Sequence, residues 1–162
     1  MPDAFPEPRI RIAVCGASHA NLQLAHVAEE LGREIARNDC ILVCGGMGGV
    51  MEAVARGACL EGGATIGVLP GDDPHEANPW ISLPLPTGMG EGRNILVVRF
   101  ANVIIALGGD WGTLSEIALA MRTGTPVILL QPTLAKDLAI EIADSPHNAV
   151  ARALVRARAR TA

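Results

Sequence analysis

Aromatic residues are almost missing from this 162-residue chain: there is no tyrosine, and two tryptophans and two phenylalanines complete the set. With a net charge of −4, that scarcity argues against a nucleic-acid surface, which needs a basic field and stacking platforms. Lysine occurs once, as Lys136, and never after glycine, so a Walker A phosphate loop is excluded. The four cysteines, at 15, 40, 44 and 59, make no C-x-x-C pair, and the four histidines, at 19, 26, 75 and 147, are scattered. No metal site is expected, and Cys15, Cys40 and Cys44, in or beside apolar runs, read as small buried hydrophobes. No apolar run approaches the roughly 20 residues that span a bilayer. The start, Met1-Pro2-Asp3-Ala4-Phe5-Pro6, is acidic and broken by proline where a signal peptide is basic and then apolar. A soluble, cytoplasmic protein without a membrane partner is the expectation.

What the chain does have is regular alternation. Its length suits one domain over 1–162, able to bury roughly 70% of its unfolded surface, with a loose, proline-containing lead-in over 1–8. Apolar runs predict strands over 10–14, 40–44, 65–69, 103–107 and 127–130. A further short strand over 80–85 is interrupted by Pro84 and therefore belongs at an edge. Three- and four-residue spacing of Leu22, Ala25, Ala28, Leu31 and Ile35 predicts a helix over 21–38, with Asn21 a candidate N-cap. Further helices are expected over 50–60, 95–98, 133–143 and 146–159. Arg152, Arg156, Arg158 and Arg160 read as a solvated last turn that complements the helix dipole.

Strand–helix alternation implies an α/β fold: a mostly parallel sheet of six or seven strands with helices on both faces, a three-layer sandwich. Ligands of such sheets bind at the carboxyl ends of the strands, near the switch point of the strand order. Four turns rich in glycine or small residues, at 16–21, 45–49, 88–92 and 108–112, follow strands or precede helices and should gather on one rim. A pocket for a phosphorylated ligand is the reading. A dinucleotide site is poorly supported, because the first turn is Gly-Ala-Ser-His-Ala-Asn and the second strand ends without an acid for the ribose.

The stretch from Asn102 to Met121, NVIIALGGDWGTLSEIALAM, organises this rim. A buried strand runs into Gly108, Gly109 and Gly112, and then into a helix with Leu114, Ile117, Ala118 and Met121 on one face. Such a turn aims amide N–H groups and a helix dipole at an anion. Glu116 has two readings: a carboxylate at the third helical position capping its own helix, or a functional acid beside the bound ligand. Asp110, in the same turn, would repel a phosphate unless it points away or holds a cation.

Gly108-Gly109-Asp110-Trp111-Gly112-Thr113-Leu114-Ser115-Glu116 resembles the PGGxGTxxE signature of the "lonely guy" (LOG) proteins, long labelled lysine decarboxylase-like. Arg93, fifteen residues before Gly108, stands where that family carries the arginine of its other catalytic motif, and residues 42–51 resemble its glycine turn after the second strand. The resemblance spans about 10–130 and implies a Rossmann-like fold, a homodimer or larger homo-oligomer, and cleavage of nucleoside 5′-monophosphates to free base and ribose 5-phosphate without a cofactor. Lysine decarboxylation is discounted, since Lys136 lies away from these turns and a pyridoxal cofactor would be needed. Under the hydrolase reading, Arg93 and Glu116 are catalytic. Gly16, Ser18, His19, Gly45, Gly46, Gly48, Gly49, Gly108, Gly109, Gly112 and Thr113 then hold an AMP-like ligand. Gly108 and Asp110 depart from the signature, and Asn94 replaces the lysine usual after the arginine. In these departures the chain looks more like a sister branch that includes the molybdenum-cofactor carrier proteins, which bind a phosphorylated pterin and catalyse nothing.

Overall fold

The computed structural model describes residues 9–161, and the expected lead-in over 1–8 lies outside them. Seven strands form one sheet: β1 (Arg11–Gly16), β2 (Ile41–Cys44), β3 (Thr65–Leu69), β4 (Leu83–Pro86), β5 (Val103–Leu107), β6 (Val127–Leu130) and β7 (Glu141–Ala143). Every neighbouring pair is parallel, in the order β4-β3-β2-β1-β5-β6-β7. Five helices connect or close them: α1 (Leu22–Arg37), α2 (Val50–Leu60), α3 (Asn94–Phe100), α4 (Trp111–Thr123) and α5 (Pro146–Thr161). No helix among the described residues is long and apolar enough to cross a membrane.

Side-chain alternation sorts these helices into two layers. Ile12 and Val14 of β1 face one core with Ile105, Leu107, Ile128 and Leu130, packed by Leu31, Val54 and Val150 from α1, α2 and α5. Ala13 and Cys15 face the other with Ile104, Ala106 and Leu129, packed by Val97, Val98, Ile117 and Ala120 from α3 and α4. The expected three-layer Rossmann-like sandwich is what forms. From β1 the chain adds strands outward to β4, then returns to β5 on the far side of β1. The switch point thus lies between β1 and β5, where Gly16 pairs with Leu107 and the following turns leave side by side.

Three expectations fail locally. Residues 133–143 are not a helix: Gln131 takes a left-handed φ of 47°, Pro132 follows it, and turns lead into β7 at the edge beside β6. Leu134 and Leu138, spaced as a helical face, are both exposed, so the pattern has no buried partner to select it. Leu22, counted as inward on α1, is 93% exposed. The strand expected over 80–85 shrinks to Leu83–Pro86, at the edge as Pro84 requires. The C-terminal arginines also do more than line a last turn. Arg152 and Arg156 pair with Glu141 of β7, and Arg160 Nη1 donates to the Ala101 carbonyl at 3.3 Å.

α1 and α2 cross in close contact because glycines sit at the crossing. A Cβ on Gly57 would lie 1.9 Å from the Glu29 carbonyl oxygen, and one on Gly32 would lie 2.0 Å from that of Val54. Both obstacles are backbone, which cannot rotate away. Gly57→Ala should therefore destabilise the fold by about 1–3 kcal/mol, as overpacking does. An added methyl at Gly32 should behave alike. Denaturant unfolding followed by circular dichroism measures this, and an unchanged midpoint would contradict the packing.

Candidate functional site

The rim of the sheet holds a cavity of about 460 Å³, lined from all four of the expected turns. The first two turns are locked together. Val50 N–H, at the start of α2, donates to the Ala17 carbonyl at 3.0 Å. A Cβ on Gly16 would come within 2.4 Å of Val50 Cγ1, and one on Gly49, at φ 66°, within 2.4 Å of the Ser18 carbonyl. These glycines let one turn lie on the other, so their work is in packing as much as in ligand contact.

Arg93 ends a 3₁₀ turn (Gly90–Arg93) that leads directly into α3. Its guanidinium is mostly buried and folds against Gly45, where a Cβ would sit 2.6 Å from Nη2. Nη1 donates to Asn94 Oδ1, and Asn94 Nδ2 donates to Ser115 Oγ at 3.2 Å. Nε is buried with no hydrogen-bond partner among the described residues. Across from it, Glu116 Oε1 lies 3.8 Å from Arg93 Nη1. The two residues singled out from sequence thus meet inside the cavity.

Glu116 is not a cap. α4 begins at Trp111, so Glu116 is its sixth residue, and Thr113, Glu116, Ile117 and Ala120 form the buried face. Ala118 and Met121, expected inward, point outward; Met121 is 58% exposed. The cap is Asp110, whose Oδ1 accepts from Thr113 N–H at 3.1 Å and from Thr113 Oγ1 at 3.3 Å. Burial pushes the Glu116 carboxyl up to about 7. Arg93 and the Cys15 thiol pull against this rise, while Asp110 and Glu91 add to it. Burial likewise raises the Cys15 thiol well above its ordinary value and Cys44 to about 11, so neither is a thiolate near neutral pH.

Gly16, Ser18, Gly45, Arg93, Gly112, Thr113 and Glu116 all line the cavity. His19 does not; its Nδ1 lies 3.2 Å from Ser18 Oγ. Gly46, Gly48 and Gly49 do not line it either, and Gly46 packs against Leu69. Gly108 and Gly109 border a separate hollow of about 260 Å³ with Leu24, Gln131 and Thr133. Asn21 borders that hollow too, and its Oδ1 caps α1 by accepting from Leu24 N–H at 2.8 Å. Sequence reasoning missed Met47, Met51, Pro70, Glu91 and Trp111 as cavity residues, and it saw Cys15 only as core. Trp111, 78% exposed at the start of α4, carried a signal: a tryptophan directly after a glycine turn in a chain almost without aromatics.

The model of the SLOG cluster4 family matches residues 9–158. The chain belongs to this family. The molybdenum cofactor binding protein of Rippkaea orientalis has a similar structure, at 34% identity and a TM-score of 0.88, over 95% of this chain and 99% of that one. The molybdenum cofactor carrier protein of Chlamydomonas reinhardtii is similar at 31% identity and a TM-score of 0.84, over 94% and 99% of the two chains. The cytokinin riboside 5′-monophosphate phosphoribohydrolase of Mycobacterium tuberculosis is 34% identical over 134 residues, 73% of this chain and 68% of that enzyme. This SLOG chain therefore stands in a sister branch of the LOG superfamily, as its departures at Gly108, Asp110 and Asn94 suggested.

A carboxyl raised by folding binds its proton more tightly in the folded state, so its contribution to stability is greatest below about 4.5 and declines as pH rises towards about 7. A shift of this size corresponds to about 3 kcal/mol. Glu116→Gln should remove that decline. Unfolding free energies of the two proteins, compared across this window, should differ in slope; parallel curves would mean that Glu116 is not buried as described.

Proposed function

We propose that this SLOG-family protein binds a phosphorylated heterocycle, of the pterin or nucleotide class, in the rim cavity and carries it without chemical change. The observation that carries this reading is Arg93. It is the one cation among the described residues lining the cavity, and it is buried there with its Nε unpartnered. A desolvated guanidinium facing an open space is completed by an anion, and phosphate is a natural partner for it. The volume suits a ligand of one ring system plus a phosphate. Trp111, which lines the cavity and is 78% exposed, offers an aromatic face that a flat heterocycle can cover. The match to two molybdenum cofactor proteins over nearly their whole length supports a carrier of a molybdopterin-type ligand.

One observation favours a second reading, a phosphoribohydrolase. Glu116, at about 7, is placed to hold or release a proton near neutral pH, and it lies beside Arg93. Cleavage of a base–ribose bond passes through an oxocarbenium-like state, which a carboxylate can stabilise while directing water. Arg93 would then contact the nucleotide and help the base to leave. No cofactor is needed for such hydrolysis.

We take the protein to be cytoplasmic and a homo-oligomer. The outer face of α4, where Trp111, Ala118 and Met121 are exposed, supports a subunit contact near the cavity mouth. Adding a molybdopterin-type ligand or AMP to the purified protein tests the main reading. The pterin should bind, Arg93→Ala should weaken it roughly 10- to 100-fold, and AMP should yield no adenine. Release of adenine that Glu116→Gln abolishes would replace the carrier with the hydrolase.

A further inference from the structure

The carboxylates of the cavity are unevenly placed. Glu91, Asp110 and Glu116 line the part formed by the 3₁₀ turn and α4, whereas Gly16, Ser18, Gly45 and Met47, from the turns after β1 and β2, bring no acid. Arg93 lies against Gly45, on the acid-free part, and reaches across to Glu116. A bound phosphate therefore meets a gradient of negative charge along the cavity.

The N-terminus of α4 would ordinarily be the strongest anion position on this rim, because its amides and dipole point outward. Here the Thr113 amide and hydroxyl are already taken, and a carboxylate stands over the turn. Thr113 N–H and Thr113 Oγ1 both serve Asp110 Oδ1, at 3.1 and 3.3 Å. The same oxygen would lie 3.2 Å from a Cβ on Gly112, so the carboxylate sits over the turn and does not swing clear of it.

Resting on the ligand class proposed above, we infer that Asp110 is an internal anion that closes the α4 end of the cavity to phosphate and so sets the orientation of the ligand. The phosphate is left the wall made by Gly16, Ser18, Gly45 and Met47, beside Arg93. The heterocycle then extends towards Trp111 and α4, where no second phosphate is tolerated. Asp110 is a specificity-determining residue: it selects ligands that carry negative charge at one end alone.

Asp110→Asn tests this without losing the cap, since asparagine caps helices as well as aspartate does. Asp110→Gly goes further by emptying the position, at a small cost to the cap. Calorimetric titration should use inorganic phosphate, AMP and adenosine on wild type and on both variants, with folding checked by circular dichroism. Removal of one nearby like charge should tighten inorganic phosphate and AMP roughly tenfold and leave adenosine unchanged. Phosphate affinity that stays equal or falls in both folded variants would overturn the inference. The gain for inorganic phosphate is read whether or not wild type binds AMP. Wild type that binds neither AMP nor a pterin while Asp110→Asn gains phosphate would thus refute the ligand class and uphold the role of Asp110.

Discussion

A guanidinium and a carboxylate held 3.8 Å apart inside the rim are the constraint that the site depends on. Neither is comfortable alone: a buried charge without a counter-charge is costly, and the separation is too long for a hydrogen bond to settle both. Glu116 responds by keeping its proton up to about 7, and Arg93 is left with a buried Nε that no described residue satisfies. Such a pair contributes little to stability as it stands. It makes sense as a half-built interaction, completed when a ligand brings its own anion to the guanidinium from the side away from Glu116.

The rest of the fold can be seen as what brings this pair together. β1 and β5 run parallel with Gly16 opposite Leu107, so the turns that follow them start at the same level. Gly45 has no side chain, and the guanidinium fills that space. Gly16 and Gly49 allow the first two turns to touch, which fixes the start of α2. On the opposite layer, Arg93 stands directly before α3 and α4 carries Glu116 one and a half turns in, and both helices pack on Ala13, Ile104 and Ala106. Small residues at the rim and branched residues below it thus divide the work.

Much of this was legible in the residues. The β-branched runs over 103–107 and 127–130 suit buried strands and form them, and the helical reading of 95–98 against its strand propensity follows from the alternation of elements. The meeting of Arg93 and Glu116 was what the LOG resemblance implied. What could not be seen was the exact phase of α4. Placing its start after Thr113 left a cap as one of two readings of Glu116 and made Met121 a core residue, whereas Asp110 takes the cap and moves the buried face round to Glu116. Asp110 itself was readable, because aspartate between a glycine turn and a helix is a favoured N-cap. The segment 133–143 misled for another reason: helical spacing without a surface to bury against specifies nothing, and Pro132 after a left-handed Gln131 sends the chain into turns.

The central claim is that an anionic ligand completes the Arg93–Glu116 pair from the wall of the β1 and β2 turns. A crystal structure with a phosphorylated pterin or AMP bound tests it most directly. The account predicts the phosphate within hydrogen-bond reach of Arg93 and of the turns at Gly16 and Gly45, with the ring towards Trp111. A ligand seated instead in the hollow beside Gly108, Gln131 and Thr133, with Arg93 and Glu116 untouched, would contradict it.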